Sequence, residues 1–234
     1  GGGEVGEEEV REWFEEAHEA VMESYARVPE EYCYHVYGKW TLEGGSYVQE
    51  GSNAVRTVEY GCTATAAWVS GGELKVAWVG DSRALLCARG RKTLELGSAY
   101  GDYSFEWLTE DHLPNNEAER ERVEKEGRVE ITGRGMKIND HSVCVTRSLG
   151  HALISCVPQF ATRSLRDLEP GHTVLIVASD GVWDHIAADD AAGDALGHRN
   201  KPAMRADAAR DLVNEALDLA GADSDNACAV VVFL

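Results

Sequence analysis

The sequence predicts an α+β domain in which helices pack on antiparallel sheets. From Gly61 onward, short β-rich runs recur with turn residues between them, as in TATAAWV, SGG and ELKVAWVG. Amphipathic helical stretches stand apart from these runs instead of following each strand in turn. The chain has 234 residues, 44% of them hydrophobic, which is enough for one sizeable core. Residues 1–234 read as a single domain, because no repeat and no interdomain linker interrupts them.

The elements follow in chain order. Val10, Trp13, Phe14, Ala17, Val21, Tyr25 and Val28 recur at three- and four-residue spacing, and Pro29 closes the pattern, so an amphipathic helix is expected. The stretch from Tyr34 to Tyr60 carries glycines and no sustained period; it reads as loop with one or two weak strands. TATAAWV and ELKVAWVG form a hairpin across Ser70-Gly71-Gly72, and ALLCARG follows as a third strand. Asp111 to Pro114 give a turn signal. NNEAERERVEKEG predicts a short helix capped by Asn116, with Glu121 and Lys125 paired at i,i+4 and Gly127 as its stop. Its faces are so polar that it is expected on the surface. SVCVTRSLG and TVLIVASD read as further β-rich runs, and IAADDAAGDALG as helical. PAMRADAARDLVNEALDLAG predicts a long helix, with Pro202 in its first turn, Gly221 at its end, and Met204, Ala208, Leu212, Ala216 and Leu219 on one face. ACAVVVFL is apolar throughout and is expected as a central strand covered on both faces.

Composition excludes several classes. The net charge is −19, from 41 acidic and 22 basic residues, so a phosphate backbone is repelled and nucleic acid is not an expected partner. The six cysteines are unclustered and form no C-x-x-C pair, which signals neither a disulfide scaffold nor a zinc site. Cys62, Cys144 and Cys228 stand among apolar neighbours and are expected to act as small core residues. No apolar run is long enough for a membrane span, and the acidic start GGGEVGEEEV is unlike a signal peptide. The expected setting is intracellular, cytoplasmic or nuclear, with no membrane partner.

Acidic residues gather at the ends of the strongest strands. Asp81 follows LKVAWVG, Asp180 and Asp184 follow TVLIVAS, and Asp223 and Asp225 precede ACAVVVFL. Carboxylates at strand ends can converge from distant sequence on one hard divalent cation. Each of them taken singly also fits turn or cap chemistry, and the residues alone leave both readings open. A calcium hand starting at Asp223 is excluded, since Ala227, Cys228 and Leu234 occupy positions that require an oxygen ligand, a glycine and a glutamate. A P-loop, H-E-x-x-H and a nucleophile elbow are absent.

Taken in order, YGCTATAAWV, VAWVGDSRALL, LTEDHLPNNEAERERVEKEGRV, VCVTRSLG, VLIVASDGVWDHI and DSDNACAVVV resemble the successive segments of the PP2C (PPM) metal-dependent protein serine/threonine phosphatases. The resemblance runs from Gly61 to Leu234. It implies a β-sandwich flanked by helices in α-β-β-α layers, with the N-terminal strands of that architecture missing here. It further implies two ions of Mn²⁺ or Mg²⁺, or three. Asp180 and Asp225 would hold a core ion, and Asp81 and Asp184 a third, weaker one. Gly181 would keep the turn tight, and Asn226 would orient Asp225. The implied reaction is dephosphorylation of phosphoserine and phosphothreonine in a phosphoprotein substrate by a metal-activated water. Thr63, Thr65, Arg83, Arg147, Trp183 and His112 match the family in positions expected to be structural.

Two parts of the family pattern have no counterpart. There is no Asp-Gly-His-Gly segment, whose aspartate bridges the metals and whose histidine is the proposed general acid, and no early phosphate-binding arginine. His151 stands where the family has aspartate. No catalytic side chain is therefore assigned. Two classes stay open: a phosphatase whose front is missing, or a noncatalytic pseudophosphatase or fragment that acts as a binding module. Retention of Asp81, Asp180, Asp184 and Asp225 favours the enzyme for the parent protein. A sandwich without its front strands is expected to expose edges and apolar surface, and so to associate.

Overall fold

A computed structural model of the chain describes residues 5–26, 40–43, 46–49, 55–57, 61–89, 98–100, 103–126, 129–132, 135–138, 141–151, 154–166, 168, 172–199 and 205–234. In chain order the elements are α1 (Glu7–Ala26), β1 (Trp40–Glu43), β2 (Ser46–Gln49), β3 (Val55–Thr57), β4 (Ala64–Ser70), β5 (Glu73–Val79), β6 (Arg83–Arg89), β7 (Ser98–Tyr100) and β8 (Tyr103–Trp107). They continue with α2 (Glu117–Lys125), β9 (Val129–Thr132), β10 (Gly135–Ile138), β11 (His141–Val143), β12 (Gln159–Ser164), β13 (Thr173–Ala178), α3 (Asp180–Trp183), α4 (Ala188–Arg199), α5 (Ala208–Ala220) and β14 (Ala229–Phe233). The α+β class is as the sequence predicts. Two compact units result: residues 1–64 with 112–159, and residues 65–111 with 160–234. Among the described residues no helix is long and apolar enough to cross a membrane.

The second unit is layered. A three-stranded sheet has the order β12-β5-β4 and a five-stranded sheet the order β14-β13-β6-β8-β7. Period-two alternation decides what each strand faces. Leu85 and Cys87 of β6 and Val174 and Ile176 of β13 pack with Val182, Trp183, Ala191, Ala195, Leu212 and Ala216 of the helices. Their neighbours Ala84, Leu86, Ala88 and Leu175 point the other way, onto Leu74, Val76 and Trp78 of β5. The sandwich core therefore lies between the two sheets, with helices on the outer face of the larger one. The predicted hairpin β4–β5 is present, but β6 joins the other sheet, between β13 and β8.

The last strand corrects an expectation. β14 lies at an edge of the five-stranded sheet, with Val230 53% and Val232 39% exposed. Its neighbour β13 and the strand beyond, β6, are the ones covered on both faces; Ala84 to Ala88 are fully buried. An unbroken apolar run reports a strand's composition, and its place in the sheet depends on partners elsewhere in the chain. α5 buries Ala208, Leu212 and Ala216 as predicted and ends at Gly221, yet Leu219 is exposed. Pro202 and Met204 lie outside the described residues. The cysteines differ too: among the described residues Cys87 is the buried one, whereas Cys62, Cys144 and Cys228 are exposed. Apolar neighbours in a strand face both ways, so they do not fix which side a cysteine takes.

In the first unit, α1 buries Val10 and Phe14 but leaves Trp13 47% exposed. The His18 Nδ1 atom accepts the Gly150 N–H at 3.0 Å. Val28, Pro29, Cys33 and Gly127 lie outside the described residues. The stretch read as mostly loop holds three short antiparallel strands, β1-β2-β3, and a second small sheet has the order β11-β10-β9.

Helix α2 starts as predicted, the Asn116 side chain accepting the N–H groups of Ala118 and Glu119. The helix lies on the surface as expected, with Glu117, Arg120, Glu121 and Lys125 exposed, but one side is buried against expectation: Glu119 is 1% exposed, and Val123 packs with Met136, Val143 and Ile154. Glu119 is buried because it is fully paired. Arg147 donates to it at 2.6 Å, Thr146 Oγ1 at 2.6 Å and Arg122 at 2.9 Å, and Arg147 also donates to the Val157 carbonyl at 2.7 Å. Burial alone would raise the Glu119 pKa; the hydrogen bonds from Arg147, Arg122 and Thr146 outweigh it and hold the carboxyl at about 2. Such a depressed acid stabilises the fold fully above its unfolded value of 4.5, and the contribution is lost as pH falls toward about 2. Glu119→Ala is expected to cost about 3–5 kcal/mol at neutral pH, because it strands the buried Arg147. In urea denaturation the gap between wild type and variant should narrow below pH 4.5; a gap independent of pH would contradict the ion-pair origin.

Candidate metal centre

All four candidate ligands lie in the second unit, at strand ends. β5 ends at Val79, Gly80 reverses the chain with φ of 97°, and Asp81 follows. The Thr65 hydroxyl donates to the Ser82 carbonyl at 3.0 Å and ties this turn to β4. Arg83, the first residue of β6, makes a two-pronged pair with Asp111, Nε to Oδ1 at 2.7 Å and Nη2 to Oδ2 at 2.6 Å. Its guanidinium also lies over the Trp107 ring, 5.6 Å from the centroid.

β13 ends at Ala178, and the single turn α3 carries Asp180 at its start. The Asp180 Oδ1 atom accepts the Gly181 N–H at 2.9 Å. Asp184 ends the turn, its N–H donating to the Asp180 carbonyl at 2.8 Å, so the two aspartates lie one helical turn apart on the same side. Trp183 anchors the turn from below. Its indole N–H donates to the Ala178 carbonyl at 2.9 Å and reaches the Arg83 carbonyl at 3.3 Å, and its ring meets Trp107 edge-on at 4.8 Å. Trp183 is thus a packed anchor, as expected.

Asp225 arrives from the segment ahead of β14. Ser179 latches this segment to the end of β13: its N–H donates to the Cys228 carbonyl at 3.0 Å and its hydroxyl accepts the Cys228 N–H at 3.1 Å. The close approach depends on Gly181. A Cβ there would stand 2.5 Å from the Asn226 carbonyl oxygen and 3.3 Å from the Ala227 Cα. Asn226 does bond to Asp225, but through its backbone N–H, at 2.6 Å. Asp223 ends a short 3-10 turn, Gly221–Asp223, and its side chain is outside those described.

The electrostatics single out one pair. Burial, and then the charge of Asp180, push the Asp81 carboxyl up to about 6, with Asp111 adding to the rise and Arg83 partly opposing it. Arg83 faces Asp111, Asp184 and Asp81 together. The charge of Asp180 thus acts on Asp81, Asp184 shares Arg83 with Asp81, and the backbone that follows Asp225 lies against Gly181. Among the described residues no three His, Cys, Asp or Glu side chains are arranged around one metal position. Asp111 is the residue that sequence reasoning read only as a turn. Its pairing with Arg83 spans 28 positions, and no local pattern announces it.

The two histidines of interest belong to the first unit. His112 is fully buried, and burial followed by the Arg147 charge lowers its pKa to about 4, so it is neutral at physiological pH. His151 is also buried.

A family profile described as Protein phosphatase 2C matches residues 37–225. Probable protein phosphatase 2C 68 of Oryza sativa subsp. japonica is 33% identical over 223 residues, covering 92% of this chain and 55% of that protein. Probable protein phosphatase 2C 76 of Arabidopsis thaliana is 32% identical over 177 residues, 74% of this chain and 37% of that protein. The chain thus spans about half the length, or less, of these curated relatives. The solved serine-threonine phosphatase 2C from Toxoplasma gondii superposes with a TM-score of 0.57 at 22% identity, over 73% of this chain and 57% of that one. A C. elegans sex determining protein superposes with a TM-score of 0.58 at 24% identity, over 74% of this chain and 40% of that one. At these identities the structural likeness is one of fold.

Gly181→Ala forces its new methyl onto the Asn226 backbone, so the segment carrying Asp225 must shift. The expected loss is about 1–3 kcal/mol in urea denaturation, as for other overpacking substitutions. An unchanged midpoint would show that the segment yields freely.

Proposed function

Because the chain belongs to the protein phosphatase 2C family, we propose that it hydrolyses phosphoserine and phosphothreonine in proteins, using divalent cations held at the strand ends of the second unit. One observation carries this reading: Asp81 and Asp180 follow separate strands at one end of the sheet, and burial together with the charge of Asp180 raises the Asp81 pKa to about 6. Two carboxylates held so close call for a cation, and an all-oxygen donor set suits Mn²⁺ or Mg²⁺. Asp180 and Asp225 are the proposed ligands of a core ion, and Asp81 and Asp184 those of a further one. When bound, such cations lower the pKa of a water and neutralise phosphate oxygens.

The remaining contributions come from the chain itself. The Gly181 N–H holds Asp180 Oδ1 and the Asn226 N–H holds Asp225 Oδ1, which fixes one oxygen of each carboxylate. Arg83, clamped by Asp111, supplies a fixed positive charge that acts on Asp81 and Asp184 and partly opposes the rise in the Asp81 pKa. Trp183 and Trp107 keep the α3 turn from rotating. The substrate class is a phosphoprotein.

A second reading is a noncatalytic domain that binds phosphoprotein without turnover. Hydrolysis of a phosphothreonine peptide separates the two. Turnover is expected to require Mn²⁺ or Mg²⁺ and to fall by more than about 100-fold in Asp180→Asn, more than the usual loss for a residue behind a ligand. A chain shown to be folded by circular dichroism, yet inactive with either metal, would leave the binding-module reading in its place.

A further inference from the structure

The second unit gathers a further cluster of titratable groups, away from the strand ends, where α4 and α5 meet. Asp194, His198, Asp211 and Glu215 line a cavity of about 30 Å³ there, and Val231 of β14 brings no charge to it. His198 belongs to the last turn of α4 and Asp211 to the first turn of α5. The His198 Nδ1 atom lies 2.8 Å from the Asp194 carbonyl oxygen, and its Nε2 atom lies 3.0 Å from Asp211 Oδ2. A carbonyl oxygen can only accept, so Nδ1 carries a hydrogen and donates it. In a neutral ring Nε2 would then be a bare lone pair facing a carboxylate oxygen that has no hydrogen to offer. A contact of 3.0 Å there requires one more proton, and it belongs to the ring, because imidazole is a far stronger base than a carboxylate. His198 is therefore an imidazolium in this arrangement, with both nitrogens donating. His18 of the first unit shows the opposite case, since its Nδ1 atom accepts the Gly150 N–H.

We propose that His198 is a proton-operated clasp: as an imidazolium it ties the last turn of α4 to the first turn of α5, and on losing its Nε2 proton it releases that tie. The setting favours the charged ring from several sides. The C-terminus of α4 carries the negative end of its helix dipole, and Asp211 stands at the positive end of α5. The charges gathered at the seam are Asp190 and Asp194 on α4 and Asp211 and Glu215 on α5. Arg210 of α5 stands nearby, but it is 65% exposed and pairs with Asp207 at 2.8 Å, its Nε atom lying 3.9 Å from Asp211 Oδ1. The bond to the Asp194 carbonyl, and then the bond to Asp211, raises the His198 pKa above 6.5, with burial opposing. The clasp is thus closed below 6.5 and opens as pH climbs through the raised value. Burial, and then the hydrogen bond with Asp194, raises the Glu215 pKa as well, so ionisation of Glu215 adds repulsion in the same direction. What the clasp steadies is the helix behind the candidate metal centre, for Leu212 and Ala216 of α5 share a core cluster with Val182 and Trp183 of α3. It rests on the packing of the second unit alone, whether or not the chain hydrolyses a phosphoprotein.

Proton–nitrogen correlation NMR of the imidazole rings, followed across pH in the full chain, tests this without any substitution. His198 is expected to titrate above 6.5, and its neutral form should keep the hydrogen on Nδ1, held by the Asp194 carbonyl. Asp211→Asn should lower the midpoint. The tie between the helices is read from urea denaturation in a double-mutant cycle of His198→Phe and Asp211→Asn. A coupling of about fivefold in the unfolding constant is expected while the ring is charged, vanishing above its midpoint. If either variant fails to fold, the wild-type midpoint and the tautomer of the neutral ring decide the matter. A His198 that titrates at or below 6.5, a neutral ring with its hydrogen on Nε2, or a coupling that is absent or the same at every pH would each overturn the proposal.

Discussion

The register of β13 between its two neighbours is the constraint on which the second unit depends. Ala178 pairs with Arg83 on one side and with Ala229 on the other. Asp180 lies two residues beyond Ala178, Asp81 two residues before Arg83, and Asp225 four residues before Ala229. The same ladder that closes the sheet therefore delivers three carboxylates to one end of it. A slip of one residue would turn Val174 and Ile176 away from the helices and displace the acidic turn at the same time. Packing energy on both faces of β13 thus fixes the chemistry at its end.

That arrangement places like charges together at a cost. Asp81 is hard to ionise where it stands, and Arg83 relieves only part of the strain because its guanidinium is committed to both oxygens of Asp111. A fixed, partly unrelieved cluster on rigid strand ends differs from Glu119 in the first unit. There a buried carboxylate receives donors from Arg122, Arg147 and Thr146 and is held ionised at about 2. The first is where the proposed cation would relieve repulsion, and the second holds α2 against the segment that carries Thr146 and Arg147. The contrast separates a candidate site from a structural ion pair on physical grounds.

Much of this was legible in the sequence where local chemistry decides the outcome. The Asn116 cap, the Gly71–Gly72 hairpin, the stop at Gly221 and the acidic strand ends are all local, and each stands where the sequence places it. Long-range pairing was not legible. The buried side of α2 is hidden because nothing near Glu119 shows that Arg147 will reach it, and β14 reads as central because its apolar run does not reveal which strands flank it. The joining of β6 to β13 instead of β5 is hidden for the same reason, as is β12, whose QFATRS lacks a clean alternation. The roles of Asp81, Asp180, Asp184 and Asp225 came from family resemblance, and the fold adds their common location in one unit.

The claim that strand ends hold Asp81 against Asp180 for a cation is tested most directly by carbon NMR titration of the Asp81 carboxyl, with and without Mg²⁺. The account predicts a midpoint near 6 without metal, displaced well below the ordinary aspartate range when Mg²⁺ is added, with Asp180→Asn lowering the metal-free midpoint. An Asp81 that titrates near 3.8 and ignores both Mg²⁺ and the loss of Asp180 would contradict it.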